Sequence, residues 1–343
     1  MSDYISKKII DWISIGHTLP LQIDLTNACN LSCSHCYHSH HKNVGALGAV
    51  EWCQIIDDYV GLIDEIGYAP ELIIGGGEPF ASTNFELVLS YASSLRKDWR
   101  LIILTNGTLV ERANLELLKK FSTIRFQVSL DGPDATRHDS IRGRGSFEKA
   151  MRGISILRQN KIEVHTLTVL SKRTSKWIGE FFALGRTLNL KSVEFARLVE
   201  VGQAKESKIN QIDQALDSKE LRQAYKDILN SSYKYRVPTE TRKPLFALID
   251  PRLGASGRFW ESIVVDYQGY VLMSSRSRLR LGHALKDGIR DTFLNHPTLK
   301  NLRNNKIEGC DNCIFLKRCG GDRNAAFAYN GDPLGKDPGC WML

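Results

Sequence analysis

The stretch 20-PLQIDLTNACNLSCSHCYHSHHKN-43 joins a short apolar β-type run to a loop with three cysteines, Cys29, Cys33 and Cys36, spaced C-x3-C-x2-C. Three thiolates on one loop suit three irons of a cubane cluster and leave the fourth iron without a protein ligand. Structural zinc and fully ligated clusters take four ligands from the protein. The missing ligand therefore marks a place where a small molecule can coordinate. A zinc site completed by His35, His38, His40 or His41 is the alternative on spacing alone.

Downstream, strand-like runs recur at 71-ELIIGGG, 100-RLIILTNG, 123-TIRFQVSLDG, 163-EVHTLTVL and 192-SVEFARLVEVG. Helical periods lie between them, near 49–66, 83–96, 110–121, 146–158, 174–187 and 217–232. Strand alternating with helix predicts βαβ units on a parallel sheet. Six units are too few to close an eight-stranded barrel, so the expected fold is α/β, a partial (β/α)6 TIM-type barrel. Its chemistry is expected at the C-terminal strand ends. The alternation stops after residue 235. A β-like stretch, 258-RFWESIVVDYQGYVLM, and a cysteine-bearing tail follow. The expected division is an N-terminal helix over 1–19, a barrel over 20–235 and a small C-terminal domain over 236–343.

Of 343 residues, 42% are hydrophobic and 24% charged, and no apolar run reaches the length of a membrane span. The first twenty residues carry no secretory signal pattern, so the cytoplasm is the expected compartment. Cysteines clustered in a reducing compartment read as metal ligands rather than disulfides. The net charge of +8 suits an anionic ligand but is too diffuse to single out nucleic acid.

The three-cysteine spacing followed by an aromatic, Tyr37, resembles the signature of the radical S-adenosylmethionine (SAM) superfamily. Further segments match in order: 75-GGGEP, 104-LTNGT, 128-VSLDGP with 138-HDSIRGRGSF, and 166-TLTVL with 195-FARLVEVGQA. The resemblance covers residues 20–205. It implies a [4Fe-4S] cluster on Cys29, Cys33 and Cys36, with the SAM methionine on the open iron. Cleavage of SAM then yields a 5′-deoxyadenosyl radical that abstracts a substrate hydrogen. It further implies Tyr37 near the adenine, Gly76, Gly77 and Glu78 at the SAM amino group, and Thr105 and Asn106 at the same mouth. Ser129 falls near the ribose and Arg142 at the SAM carboxylate, while Leu167 and Val169 either flank the adenine or serve only the core. Asp131 is read as ordering its loop.

The tail, 310-CDNCIFLKRCGGDRNAAFAYNGDPLGKDPGC, places Cys310, Cys313, Cys319 and Cys340 as C-x2-C-x5-C-x20-C, a closed four-thiolate site for zinc or an iron–sulfur cluster. It resembles the SPASM extension of radical SAM enzymes. Where that extension has ligands for a first auxiliary cluster, this chain has Ser274 and Arg323, and no cysteine lies between 53 and 310. The resemblance thus implies two [4Fe-4S] clusters in all. Cys53 reads as an inert thiol in a helix, with radical quenching by a hydrogen atom as its alternative role. If 274-SSRSRLRLG is extended, Arg276, Arg278 and Arg280 share one face and form either an anion site or a charge-guarded edge.

The expected activity is hydrogen abstraction from a C–H bond during crosslinking of a ribosomally made peptide. Radical modification of a small metabolite such as a tetrapyrrole carboxylate is the rival. A zinc-bound structural or nucleic-acid-binding protein is the third reading. The expected partners are the substrate, an external flavodoxin- or ferredoxin-type electron donor, and a separate leader-binding protein, with no membrane and no nucleic acid.

Overall fold

The structure, a computed structural model, describes residues 18–38, 41–254 and 262–342. The helix expected over the N-terminus lies outside these residues, apart from residues 18 and 19, which already belong to the first strand. Six parallel strands follow in sequence order: β1 (Thr18–Thr26), β2 (Ala69–Gly76), β3 (Arg100–Thr105), β4 (Thr123–Ser129), β5 (Glu163–Leu170) and β6 (Ser192–Arg197). Alternation fixes their faces. On β1, Leu19, Leu21, Ile23 and Leu25 are buried in the hydrophobic core, and Gln22 lines the barrel interior. On β4, Phe126 and Val128 belong to that core, while Gln127 and Ser129 line the interior. Each fully buried Leu or Ile contributes about 1.5–3 kcal/mol.

The crossover helices supply the other side of that core. The helix Ala49–Ile66 buries Trp52, Ile55, Ile56, Tyr59, Leu62 and Ile63, a helical stripe, and stops at Gly67 in the left-handed conformation, φ 71°. Cys53, on the same helix, is half-buried and does not line the barrel interior. The expected helices at 146–158 and 217–232 appear as Ser146–Gln159 and Ser218–Tyr235. The expected helix over 110–121 shrinks to two single turns, Val110–Arg112 and Leu115–Leu118. Two short helices, Ala135–Arg142 and Gln203–Ile209, occupy stretches expected to be loop or strand end.

The barrel stays open, and the C-terminal region extends its sheet rather than building another. β7 (Ile263–Val265) adds in parallel to β1, and β8 (Tyr270–Leu272) and β9 (Arg280–His283) continue antiparallel. The order is β6-β5-β4-β3-β2-β1-β7-β8-β9. Residues before β7 and between β8 and β9 cover β6, the opposite edge. Val193 donates its N–H to Pro238 O at 3.0 Å, Lys243 Nζ donates to Phe195 O at 2.7 Å, and Arg276 Nη1 donates to Arg197 O at 3.2 Å. Side chains and a loop thus satisfy an edge that would otherwise expose unpaired backbone groups.

The closing segment 332-DPLGKDPGC is clasped to the same edge. Arg197 donates two hydrogen bonds to buried Asp337, at 2.8 and 3.0 Å. Asp337 also accepts from the N–H groups of Asp322 (2.7 Å) and Gly339 (2.8 Å). Arg323, at a position where the SPASM pattern has a cysteine, is buried. It donates to Pro333 O at 3.0 Å and Gly335 O at 2.7 Å, so it shapes the loop between Cys319 and Cys340.

The segment 274–280 is not extended. It turns through residues 275–277, and Arg278 adopts φ 54°. The three arginines therefore do not share a face. Arg276 lines the barrel cavity, while Arg278 and Arg280 line a separate surface pocket. Arg278 pairs with Asp266 at 3.1 Å, and Arg280 lies over the Tyr270 ring at 3.6 Å.

Candidate active site

A cavity of about 680 Å³ occupies the barrel, and Cys29, Cys33 and Cys36 open onto it. The cysteine loop is pinned from below by the end of β2. Gly77 donates its N–H to Thr26 O at 2.7 Å, and Glu78 donates its N–H to Ala28 O at 2.8 Å. Gly76 sits at φ 109°, and a Cβ on Gly77 would stand 2.2 Å from Ala28 O. Glycine is required where these two backbones meet.

Each of the three sulfurs receives a donor: Leu31 N–H on Cys29 at 3.5 Å, Arg142 Nη1 on Cys33 at 3.8 Å, and His38 N–H on Cys36 at 3.4 Å. Asn106 Nδ2 adds a second on Cys29 at 3.8 Å. Burial pushes the Cys29 and Cys36 thiols up to about 11, despite these donors. Thiolates here need a cation to hold them, and the irons of a cluster would supply that charge.

The donor set fits a cluster with one open iron. Three thiols share one cavity, and His35, the histidine between two of them, is committed elsewhere: its Nε2 lies 2.7 Å from Asp131. His40 lies outside the described residues. Among the described residues, no three His, Cys, Asp or Glu side chains converge on a single ion site. A four-iron cube sets its ligands further apart than one zinc does.

Asp131 is the hub of this region. Wholly buried, it accepts from Arg142 Nε at 2.5 Å and from Val169 N–H at 2.7 Å, besides meeting His35. Burial raises its carboxyl, but the neighbouring Arg142 guanidinium and His35 override it and hold the group well below the usual carboxylate range. The cysteine loop, β4, β5 and the helix Ala135–Arg142 are thereby tied at one carboxylate.

Gly76, Gly77, Thr105, Asn106, Ser129 and Arg142 line the cavity, and so do Tyr37, Leu167 and Val169. Glu78 does not. Its carboxylate is buried behind the wall, accepting from Thr105 Oγ1 and from Asn106 N–H, both at 2.8 Å. Burial pushes it up to about 7 against those hydrogen bonds. In this structure Glu78 fixes Thr105 and the Asn106 backbone.

Three parts of the wall carry little or no signal in the sequence. His35 reads there only as a zinc ligand. Lys243 and Glu194 line the cavity with no motif around them. Glu194 stands at a strand position where alternation assigns it to the interior, and that is the only signal.

The four tail cysteines sit together, half-buried, and the Cys310, Cys319 and Cys340 side chains pack on the core. Cys319 Sγ accepts from Leu245 N–H at 3.2 Å and Gly321 N–H at 3.4 Å. The charges of Cys313, Cys319 and Cys340 all bear on Cys310 after the dominant effect of burial, which pushes its thiol up to about 11.

Comparison with known proteins follows the same lines. Residues 23–184 match the model of the Radical SAM superfamily. The chain is similar to an AdoMet-dependent heme synthase of Methanosarcina barkeri, 28% identical over 92% of this chain and 94% of that protein. It is also similar to the antilisterial bacteriocin subtilosin biosynthesis protein AlbA of Bacillus subtilis, 29% identical over 87% of this chain and 65% of that one. Among solved structures, Streptococcus suis SuiB bound to precursor peptide SuiA superposes with a TM-score of 0.73 at 16% identity. That match covers 98% of this chain and 78% of SuiB, and it speaks to the fold alone. Among the described residues, no helix is long and apolar enough to cross a membrane. An open parallel barrel, three cysteines on its first loop and the family match identify residues 23–184 as the radical SAM domain of an enzyme.

Proposed function

We propose that the protein takes hydrogen from an unactivated C–H bond of a ribosomally synthesised peptide and so directs a crosslink. The observation that carries this reading is the shared cavity. Cys29, Cys33 and Cys36 open onto the same space as Met273, Ser275 and Arg276 of the C-terminal region, so a substrate held by the tail lies before the cysteines. Relatives named for peptide work support it: AlbA, and the mycofactocin maturase MftC of Mycobacterium tuberculosis, 27% identical over 97% of this chain and 86% of that protein.

In this proposal Cys29, Cys33 and Cys36 hold a [4Fe-4S] cluster. Gly76, Gly77, Thr105, Asn106, Ser129, Arg142, Val169 and Tyr37 form the SAM site. Bound there, cluster and SAM together supply a carbon radical able to take hydrogen from a C–H bond. The protein's own contribution is placement. Asp131 aims Arg142 along the cavity wall, Glu78 holds Thr105 and the Asn106 backbone, and the two glycines allow close approach of a ligand. Cys310, Cys313, Cys319 and Cys340 hold a second, closed cluster. A flavodoxin- or ferredoxin-type donor supplies electrons, and a separate protein presents the peptide leader.

Radical modification of a small polycarboxylate is the second reading. It is favoured by the full-length similarity to a heme synthase and by cationic side chains in the cavity wall, Lys243 and Arg276. Deuterated substrates separate the two. The reconstituted enzyme, given dithionite, SAM and deuterated candidate peptides, is expected to move deuterium into 5′-deoxyadenosine, read by mass spectrometry. Deuterium transfer from a labelled tetrapyrrole carboxylate, and from no peptide, would establish the second reading instead.

A further inference from the structure

The cavity wall contributed by β6 and the tail carries four cations, Arg197, Arg242, Lys243 and Arg276, and three carboxylates, Glu194, Glu240 and Asp322. By charge the wall is nearly balanced. By hydrogen bonds it is not. Arg197 gives two hydrogen bonds to Asp337, and Arg242 reaches both oxygens of Glu240 at 3.3 Å.

The carboxylates are also satisfied. Glu194 accepts from Arg125, from Gln127 Nε2 at 2.9 Å and from Ser192 Oγ at 2.7 Å. Glu240 takes Arg242 and its backbone N–H. Asp322 caps the helix Arg323–Asn330, accepting from the N–H groups of Asn324 and Ala325.

Lys243 and Arg276 differ. Lys243 has three N–H donors and uses one, on Phe195 O at 2.7 Å. Arg276 has five and, among the described residues, its side chain uses one, on Arg197 O at 3.2 Å; Asp322 pairs with it at 3.7 Å, beyond hydrogen-bond length. Both therefore keep donors to spend on a ligand. The two carbonyls that anchor them are two residues apart on β6, about 7 Å along the strand. Each cation lies in the other's field: burial lowers Lys243, Glu194 and Glu240 raise it, and Arg276 lowers it further.

We propose that Lys243 and Arg276 together form a carboxylate-binding subsite that orients the substrate against the cysteine-bearing end of the cavity. Two cations anchored on carbonyls about 7 Å apart along one strand are placed to share the oxygens of one carboxylate. The subsite rests on the reading of this cavity as the substrate chamber. It gives the substrate class a chemical requirement: an anionic carboxyl near the C–H bond that reacts. An acidic peptide side chain and a small polycarboxylate both meet it.

The test is calorimetric binding to the reconstituted enzyme with paired probes. The pairs are coproporphyrin III against its tetramethyl ester, and a Gly-Glu-Gly-Glu-Gly peptide against its glutamine counterpart. At least one acid is expected to bind ten times more tightly than its neutral partner, a difference of about 1.4 kcal/mol. Lys243→Met and Arg276→Gln each remove that preference, and Arg276→Lys restores part of it; circular dichroism melting confirms that each variant is folded. Preference for the porphyrin acid alone assigns a small molecule, and for the peptide acid alone a peptide. Equal binding of acid and neutral forms in both pairs, no binding of any probe, or a preference that survives both substitutions would overturn the subsite. SAM cleavage by the same wild-type preparation, measured in parallel, tests the chemistry of the chamber independently of the subsite.

Discussion

Cys33→Ala is expected to lower 5′-deoxyadenosine formation by more than about a hundredfold and to halve the iron content, from about eight atoms per chain to about four. Loss of an outer partner of a metal ligand costs about 10–100-fold, so loss of a ligand costs more. Cys33 is the most buried of the three barrel cysteines and the one that receives Arg142. On the proposed assignment the four iron atoms that remain are those held by Cys310, Cys313, Cys319 and Cys340. Cys340→Ala gives the complementary loss: about four irons again, with the barrel cluster's electron paramagnetic resonance signal, and its change on adding SAM, retained. Iron analysis and spectroscopy on the two variants thus separate two sites that sequence spacing only suggests. Equal loss of all iron in both variants would mean that the sites do not form independently.

Asp131→Ala is expected to destabilise the cluster-free protein by about 3–5 kcal/mol, measured by denaturant unfolding. Removing this carboxylate leaves Arg142 and His35 without the counter-charge around which they are packed, and leaves the Val169 N–H without its acceptor. Asp131→Asn retains an acceptor oxygen and is expected to cost less. The pH dependence follows from the direction of the shift. A carboxyl held below its unfolded value, near 3.8, stabilises fully above that value and loses the effect as pH falls toward the folded one. The part of the Asp131→Ala penalty that comes from the ionised carboxyl should therefore be full above the unfolded value and shrink as pH falls toward the folded one. A penalty that does not shrink in acid would mean that the folded carboxyl is not held below its unfolded value.

The barrel was legible because alternation is a strong local signal. On β1, Leu19, Leu21, Ile23 and Leu25 face one way and Gln22 the other, and a glycine-rich turn ends β2. The helix Ala135–Arg142 was not legible. Its residues are mostly polar, and only His138, Ile141 and Arg142 are buried, so no apolar stripe announces it. Asp134, capping Arg137 N–H, is its one local cue. The cysteines and the glycines of the site could be read from spacing, because ligand number and backbone approach are local properties.

Glu78, Arg276 and Arg323 could not be read in that way. Their roles depend on Thr105, on the β6 edge and on the 332–340 loop, partners far away in the chain. The arginine row failed for a related reason. Period-two reasoning assumes a strand, and the chain turns at Ser275–Ser277 instead.

The central claim is that Cys29, Cys33 and Cys36 hold a SAM-cleaving cluster. Anaerobic reconstitution with iron and sulfide, followed by dithionite and SAM, tests it most directly. The account predicts a brown protein with about eight irons and matching sulfide that releases 5′-deoxyadenosine. A colourless protein that takes up about two zinc ions, binds no sulfide and leaves SAM intact would contradict it.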